Sequence, residues 1–299
     1  MTTISDLRQE IENDYLEPVT EQTPVTFLVE DINSTATTFK IVPDILSPDE
    51  TSLIGPGSLL EIDSELIRVL TFDESIGEIE CRRGQRGSIA TAHTEANSIV
   101  RFPTRWIRSS VEKAIAASIT SLWKPLYVVK EQIATVGTAS FVALPLNTVR
   151  LVNVEYRDTN SEWQPVTAEL FDTHPTDPTR ASVQLGTLPS MSTLCVIRYG
   201  VRIEVPVDTS TDIEDLPQHW ERIIASDVGA QLLAGVDIDA QTQEVLTQQL
   251  RLERFPVKSG TSISQSLIRY KEYLVGEAVK EIESAHPIKV QQLTNLPWG

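Results

Sequence analysis

Cysteines and long apolar runs are scarce in this chain of 299 residues. Its two cysteines, Cys81 and Cys195, form no CxxC pair, and each falls in an apolar segment of strand type, where a free thiol behaves as a small apolar side chain. The pattern predicts neither a disulfide nor a metal site. No run of about 18 apolar residues occurs, and the N-terminus lacks a basic segment followed by an apolar one. We therefore expect a soluble protein made in a cytoplasm, with no membrane partner.

Sequence signatures of catalysis are missing as well. The chain has no P-loop, HExxH, GxSxG, or EF-hand motif. Acidic pairs such as Asp237 and Asp239 are sufficiently explained as residues that favour a helix start. The four histidines lack the local spacing of metal ligands; they are His93, His174, His219 and His286. The sequence therefore predicts no enzyme, no metal and no cofactor.

Basic residues are few in the first third of the chain. Residues 1–100 contain 19 Asp and Glu but 6 Lys and Arg, a net charge of −13, whereas the remaining 199 residues carry −4. A surface of this sign repels a phosphate backbone, so tight binding of nucleic acid is disfavoured. Two interpretations stay open: the acidic surface lines a channel that DNA traverses without sticking, or it only keeps the protein in solution.

Hydrophobic residues make up 40% of the chain, an ordinary globular composition, and the length suffices for about two domains of ~150 residues. Apolar periodicity alternates between helical and strand type along the chain. In chain order the predicted segments are an N-terminal helix (1–20), an acidic β-module (21–102), a long helix (103–125), a β-sandwich-like insertion (126–210), C-terminal helices (211–284) and an extended arm (285–299).

The predicted helices flank both β-rich segments. An apolar stripe on a helix must be buried against another element, and these helices have one another as the nearest candidates. The sequence therefore predicts an α+β fold: a helical bundle with two β-rich inserted modules and an extended C-terminal arm.

A glycine-punctuated loop, residues 82–93, follows a predicted strand in the acidic β-module. Gly84 and Gly87 are predicted to adopt the positive φ that other residues resist, so that the loop has a structural role. His93 closes the segment and is predicted to form a hydrogen bond across it.

Arg82, Arg83 and Arg86 form the only basic cluster of residues 1–100. We expect them to pair with carboxylates, either of the same subunit or of the next one in an oligomer. Contact with a phosphate is the alternative.

The pattern Arg-Gly-x-x-Gly-Ser-x-Ala-x-x-His at residues 83–93, followed by a strand, Phe-Pro and a helix, resembles a module of neck and tail proteins of tailed bacteriophages. The layout of helices with β insertions resembles their head-to-tail adaptors. The resemblance implies a structural protein of the virion neck, a dodecameric ring below the portal protein that joins capsid to tail and lets DNA pass. Its partners would be the portal, other copies of itself, and the tail or next neck protein.

Two other function classes stay open. One is a tail or baseplate protein whose β-modules bind fibres or carbohydrate, and the other is a hydrolase or lectin-like protein with a site that no motif marks. The C-terminal arm favours a connector, since a connector needs an extended segment to dock on its partner ring.

The arm itself combines two prolines with a marked apolar content and no helical stripe. Such segments order on a partner, with an aromatic residue as anchor, and by resemblance that partner is the portal. The alternative is that the arm folds back on its own chain. The predicted docking residues are Ile288, Val290, Leu293, Leu296 and Trp298.

Overall fold

Strands predominate slightly over helices in the structure. A computed structural model describes residues 2–16, 25–43, 46, 54–96, 98–102, 106–123, 125–136, 141–186, 193–234 and 263–287. Of these, 35% lie in strands and 31% in helices. The chain divides into two compact, discontinuous units. The half-barrel unit comprises Arg8–Ile115 and Val228–Ser266; the two-sheet unit comprises Met1–Leu7, Ala116–Asp227 and Leu267–Gly299.

The half-barrel unit contains a curled antiparallel sheet of six strands in the order β1-β6-β3-β4-β5-β2. Its edge strands meet where Leu28 and Ile41 form an antiparallel bridge. Strand alternation places one set of apolar side chains inside the curl, and Phe39, Leu60 and Ile79 are at most 1% exposed there. The strands are β1 (Val25–Phe27), β2 (Thr38–Lys40), β3 (Leu59–Ile62), β4 (Glu65–Asp73), β5 (Glu78–Arg82) and β6 (Ile99–Arg101).

The two-sheet unit contains a four-stranded sheet, β10-β9-β13-β7, and a three-stranded sheet, β11-β12-β8, both antiparallel. Buried residues of both sheets, among them Val183 and Ile197, belong to one apolar core. The strands are β7 (Val128–Val136), β8 (Phe141–Leu144), β9 (Thr148–Arg157), β10 (Trp163–Pro165), β11 (Ala168–Phe171), β12 (Ala181–Leu185) and β13 (Thr193–Val201).

Four α-helices occur among the described residues: α1 (Ile4–Ile11), α2 (Arg108–Leu122), α3 (Glu221–Leu232) and α4 (Ile263–Ala285). A π-helical turn, Glu12–Leu16, continues α1. Thr3 caps α1, since its Oγ1 accepts a hydrogen bond from the backbone N–H of Asp6 at 3.0 Å. Within the C-terminal helices predicted for residues 211–284, residues 235–262 lie outside the described residues.

A buried aspartate joins three of these helices in the two-sheet unit. Asp227 of α3 accepts a hydrogen bond of 2.7 Å from the hydroxyl of Ser118 on α2. Its other carboxylate oxygen lies 2.7 Å from the ammonium group of Lys271 on α4. Because the carboxylate is 8% exposed, these two partners stabilise the charge that burial would otherwise disfavour.

The predicted helical bundle with β-rich insertions is wrong, because the described chain is mostly β, with a curled six-stranded half-barrel sheet as a main element. Each β-rich region has an apolar core formed by its own residues. Within the predicted insertion at residues 126–210, the apolar pattern does not mark the short strand β11, Ala168–Phe171. The sequence also favours Asp215 as the cap of the first C-terminal helix, but that helix begins at Glu221. Asp215 lies at φ +61°, and its carboxylate is 2.5 Å from Nζ of Lys130.

Candidate functional site

Three acidic residues mark the hairpin of β3 and β4 in the half-barrel unit. Glu61 lies in β3, Asp63 lies in the turn at φ +55°, and Glu65 begins β4. Glu61 and Glu65 are 2% and 1% exposed, so each carboxylate needs partners inside the protein. Their partners come from distant parts of the chain.

Arg83 of the glycine loop binds Glu65 through both carboxylate oxygens. Its Nε donates to Oε1 at 2.7 Å and its Nη2 to Oε2 at 2.6 Å. The same guanidinium donates to the backbone oxygens of Asn33 at 2.8 Å and Thr91 at 2.6 Å. A planar guanidinium suits this bidentate geometry, and Arg83 thereby ties β4 to two other loops.

Two backbone amides also donate hydrogen bonds to the carboxylate of Glu65. The N–H groups of Gly84 and Thr91 donate to its oxygens at 3.0 Å and 3.1 Å. Burial alone would raise the pKa of Glu65. Hydrogen bonds from His93, Arg83 and these two amides outweigh burial and lower the pKa to about 2. Glu65 is therefore a carboxylate held ionised by five hydrogen bonds.

His93 lies between two carboxylates. Its Nδ1 is 2.7 Å from Oδ2 of Asp63, and its Nε2 is 2.9 Å from Oε2 of Glu65. Carboxylates accept and do not donate, so the geometry favours an imidazolium that donates from both nitrogens. Burial lowers the pKa of His93, but the hydrogen bonds to Asp63 and Glu65 outweigh it, and the pKa is raised. The backbone of His93 also pairs with that of Ile32, at 2.9 Å in both directions.

The loop adopts the positive φ angles that its glycines predict. Gly84 lies at φ +64° and Gly87 at φ +82°. Between them Arg86 takes φ +52°, which is uncommon for a residue with a side chain. Ser88 connects the end of the loop to β4, because its hydroxyl accepts a hydrogen bond of 2.9 Å from the N–H of Leu66.

The three arginines of the loop have different environments. Arg83 pairs with Glu65 of the same chain, one of the two arrangements that the sequence left open. Arg82 and Arg86 are exposed, and neither forms an ion pair with any carboxylate in the described part of the chain. For these two residues, pairing with a neighbouring subunit stays a prediction.

A second charged cluster surrounds Glu61. Its Oε1 accepts a hydrogen bond of 2.7 Å from the backbone N–H of Arg108, the first residue of α2, so that this carboxylate fixes the helix start. Burial raises the pKa of Glu61 to about 7, although the hydrogen bond from Arg108 and the charges of Arg108 and Arg101 oppose the rise. Nearby, Arg8 pairs with Glu112 at 2.7 Å.

The arrangement around Glu65 is built to hold a fold. Every carboxylate oxygen of Glu65 has protein partners, and among the described residues no group of three or more His, Cys, Asp or Glu side chains is placed to hold a metal ion. The described helices include none with the length and apolar character that a membrane crossing requires. The predicted docking residues Ile288, Val290, Leu293, Leu296 and Trp298 lie outside the described residues.

Sequence reasoning identified the loop but missed Glu65 as its centre. The available signal was position: Glu65, Ile67 and Val69 share one face of β4, and the last two are fully buried. A carboxylate on the buried face of a strand requires a cationic partner from elsewhere. Comparison of the chain with models of known protein families and with curated protein sequences gives no match.

Proposed function

We propose that this chain is a structural component of the neck of a tailed bacteriophage, a head-to-tail connector that forms a ring below the portal. One observation supports the proposal: three residues of the segment that resembles the neck and tail module bind the same buried carboxylate. Arg83, Gly84 and His93 all contact the carboxylate of Glu65. In this chain the residues that carry the resemblance therefore belong to one structural unit.

The layout of the loop also suits a component under mechanical load. Arg83 and His93 connect β4 to the backbone at Asn33, Thr91 and Ile32. Such cross-links resist separation of the strand from its loops, since a satisfied buried ion pair is costly to break. A connector must keep its shape while DNA is packaged and released through it.

In this proposal the C-terminal arm docks on the portal ring. The supporting feature is its sequence, with five large apolar residues among prolines and polar residues between 285 and 299. Extended segments of this kind bind by placing alternate side chains in pockets. Helix α4 ends at Ala285 and the described residues end at Pro287, so the predicted arm follows the C-terminal end of a helix.

The experiment mixes the full chain with assembled portal rings and determines the structure of the complex by electron cryomicroscopy. A ring of this chain attached to the portal is expected.

Deleting residues 285–299 should abolish attachment to the portal while leaving the melting temperature nearly unchanged. Trp298→Ala should weaken attachment. The matched control is Trp163→Ala, which replaces an exposed tryptophan of β10. A truncated chain that still joins the portal would contradict docking through the arm.

The acidic surface leads to an expectation about DNA. Residues 1–100 carry a net charge of −13, and walls of this sign let a phosphate backbone pass without binding. Fluorescence anisotropy with a labelled duplex should detect no binding at moderate salt. Tight binding that weakens steeply with salt concentration would show several phosphate contacts and contradict a non-adhesive channel.

A further inference from the structure

Charge is segregated by sign along the hairpin of β4 and β5. At one end Arg68 lies directly opposite Arg82, and at the other end Asp73 lies directly opposite Glu78. Like charges facing each other across two strands destabilise the pair, whereas opposite charges would stabilise it. The sequence thus forgoes two favourable cross-strand pairs, and the hairpin acquires a basic end and an acidic end.

The basic end consists of Arg68, Arg82 and Arg86, all exposed. Within the described ranges none of them lies within ion-pair distance of a carboxylate, although residues 1–100, which include all three, carry a net charge of −13. Arg86 also occupies a left-handed backbone conformation at φ +52°. Strain of this kind concentrates at residues that serve function. The basic end is therefore a candidate surface for an acidic partner.

The acidic end is a firmly held turn with Asp73, Glu74 and Glu78, and Ile76 at its tip is 53% exposed. Gly77 fixes the turn, because a Cβ at its position would lie 2.2 Å from the backbone oxygen of Ile41. The N–H of Ile41 also donates a hydrogen bond of 2.9 Å to the backbone oxygen of Gly77.

The carboxylates of this turn have only weak or local partners among the described residues. Glu78 has a long ion pair of 3.9 Å with the exposed Lys40. Asp73 accepts hydrogen bonds from the N–H and hydroxyl of Ser75, at 3.0 Å and 2.6 Å, through a single oxygen. A firm acidic turn with an apolar tip is thus available for contact.

We propose that the acidic turn of one copy binds the basic end of the next copy, head to tail. Arg68 and Asp73 are five positions apart in one strand, which corresponds to ~17 Å, so a hairpin does not neutralise its own basic end. A contact between unlike surfaces is heterologous, and repeated with a closing rotation it generates a ring. The inference rests on the proposed ring and assigns its subunit contact. Duplex DNA is a poorer partner, given that residues 1–100, which include the patch, carry a net charge of −13.

The test uses two charge reversals in the full chain, Arg68→Glu with Arg82→Glu, and Glu74→Lys with Glu78→Lys. The second pair leaves Asp73 and its turn hydrogen bonds intact. Sedimentation velocity at low salt measures the mass of each variant. Wild type should form oligomers, and each variant alone should associate at least about tenfold more weakly, since its ends now repel.

Mixing the two variants should restore assembly. The first variant keeps its acidic turn, which fits the intact basic end of the second; the reversed turn of the second fits the reversed end of the first. A control variant, Arg157→Glu with Arg202→Glu, changes the net charge by the same amount as Arg68→Glu with Arg82→Glu. Its substitutions lie at exposed positions of the two-sheet unit, and it should assemble as wild type does. Thermal melts should show that all variants remain folded.

Four outcomes would overturn the inference: a monomeric wild type at low salt, normal assembly of both reversed variants, a mixture that stays monomeric, or duplex binding by wild type that the arginine variant loses with no change in mass. Binding to portal rings, measured separately, distinguishes this inference from the proposed function. A chain that attaches to portal but assembles independently of the hairpin charges would retain the connector function and reject this contact.

Discussion

Two adjacent arginines of the half-barrel unit, Arg82 and Arg83, have opposite environments. Arg83 is almost buried and contacts Glu65 together with two backbone oxygens, whereas Arg82 is exposed opposite Arg68. Successive residues of an extended chain point to opposite faces, so a single step in sequence separates the two environments. One residue stabilises the fold, and its neighbour is available to a partner. A basic cluster in a sequence therefore does not have a single role.

The largest expected effect on the free energy of unfolding is at Glu65, whose carboxylate accepts hydrogen bonds from Arg83, Gly84, Thr91 and His93. Glu65→Gln leaves the Arg83 guanidinium buried without a counter-charge, and we expect a loss of about 3–5 kcal/mol in the free energy of unfolding. Urea denaturation measures it. Glu80→Gln is the matched control: Glu80 is exposed and has one hydrogen bond of 3.2 Å from Thr71, so its replacement should cost less than about 0.5 kcal/mol. Equal effects of the two substitutions would remove the distinction between buried and exposed faces.

Substitutions at the glycines of the loop should have a smaller effect on the free energy of unfolding. Gly87→Val should cost about 1–2 kcal/mol, because a β-branched residue resists φ +82° even though the surrounding space is open. Gly84→Ala adds a contact of 3.2 Å with the backbone oxygen of Ser88 to the same φ strain. Gly55→Ala is the control, since its Cβ meets nothing within 4 Å and its φ is not positive. An unchanged melt for Gly87→Val with weakened self-association would instead assign the loop to a partner contact.

The smallest effect is on the pH dependence of stability. The pKa of His93 is raised in the folded protein, so the native state holds this proton more tightly than the unfolded chain. The resulting stabilisation is complete below the ordinary value of 6.5 and is lost as the pH rises through the folded pKa. The stability advantage of wild type over His93→Gln should therefore shrink above pH 6.5.

Glu61 complicates the wild-type profile but not this comparison. Its pKa, raised from 4.5 to about 7, also lowers stability as the pH rises through that window. Because Glu61 is present in both proteins, the difference between wild type and His93→Gln isolates the imidazole. A difference that is constant from pH 5 to pH 9 would mean that the pKa of His93 is the same in the folded and the unfolded chain, which would contradict the raised pKa.

Local features of the fold could be predicted from the sequence. The acidic β-module predicted for residues 21–102 contains β1 to β6, and the glycines of the loop adopt the positive φ expected of them. β11 was missed because only four residues, Ala168–Phe171, separate a proline-containing strand from a turn-rich loop. Periodicity is a weak signal over so short a span.

The larger errors concern partners distant in sequence. An apolar helix face shows that something covers it but not what, and the sequence offered the other helices as the nearest candidates, which led to the wrong bundle. The same limit hid Glu65: its donors Arg83, Gly84, Thr91 and His93 lie 18 to 28 positions away. A carboxylate on a buried strand face indicates that donors exist, but only the fold identifies them.

The most direct test measures Arg82→Met and Arg83→Met side by side, each by thermal unfolding and by sedimentation at a temperature where both are folded. We expect Arg83→Met to lower the melting temperature and to leave the oligomer mass as in wild type. We expect Arg82→Met to leave the melting temperature unchanged and to reduce the oligomer mass. The same melting loss for both variants, or an unchanged mass for Arg82→Met, would contradict the division of this loop between fold and partner.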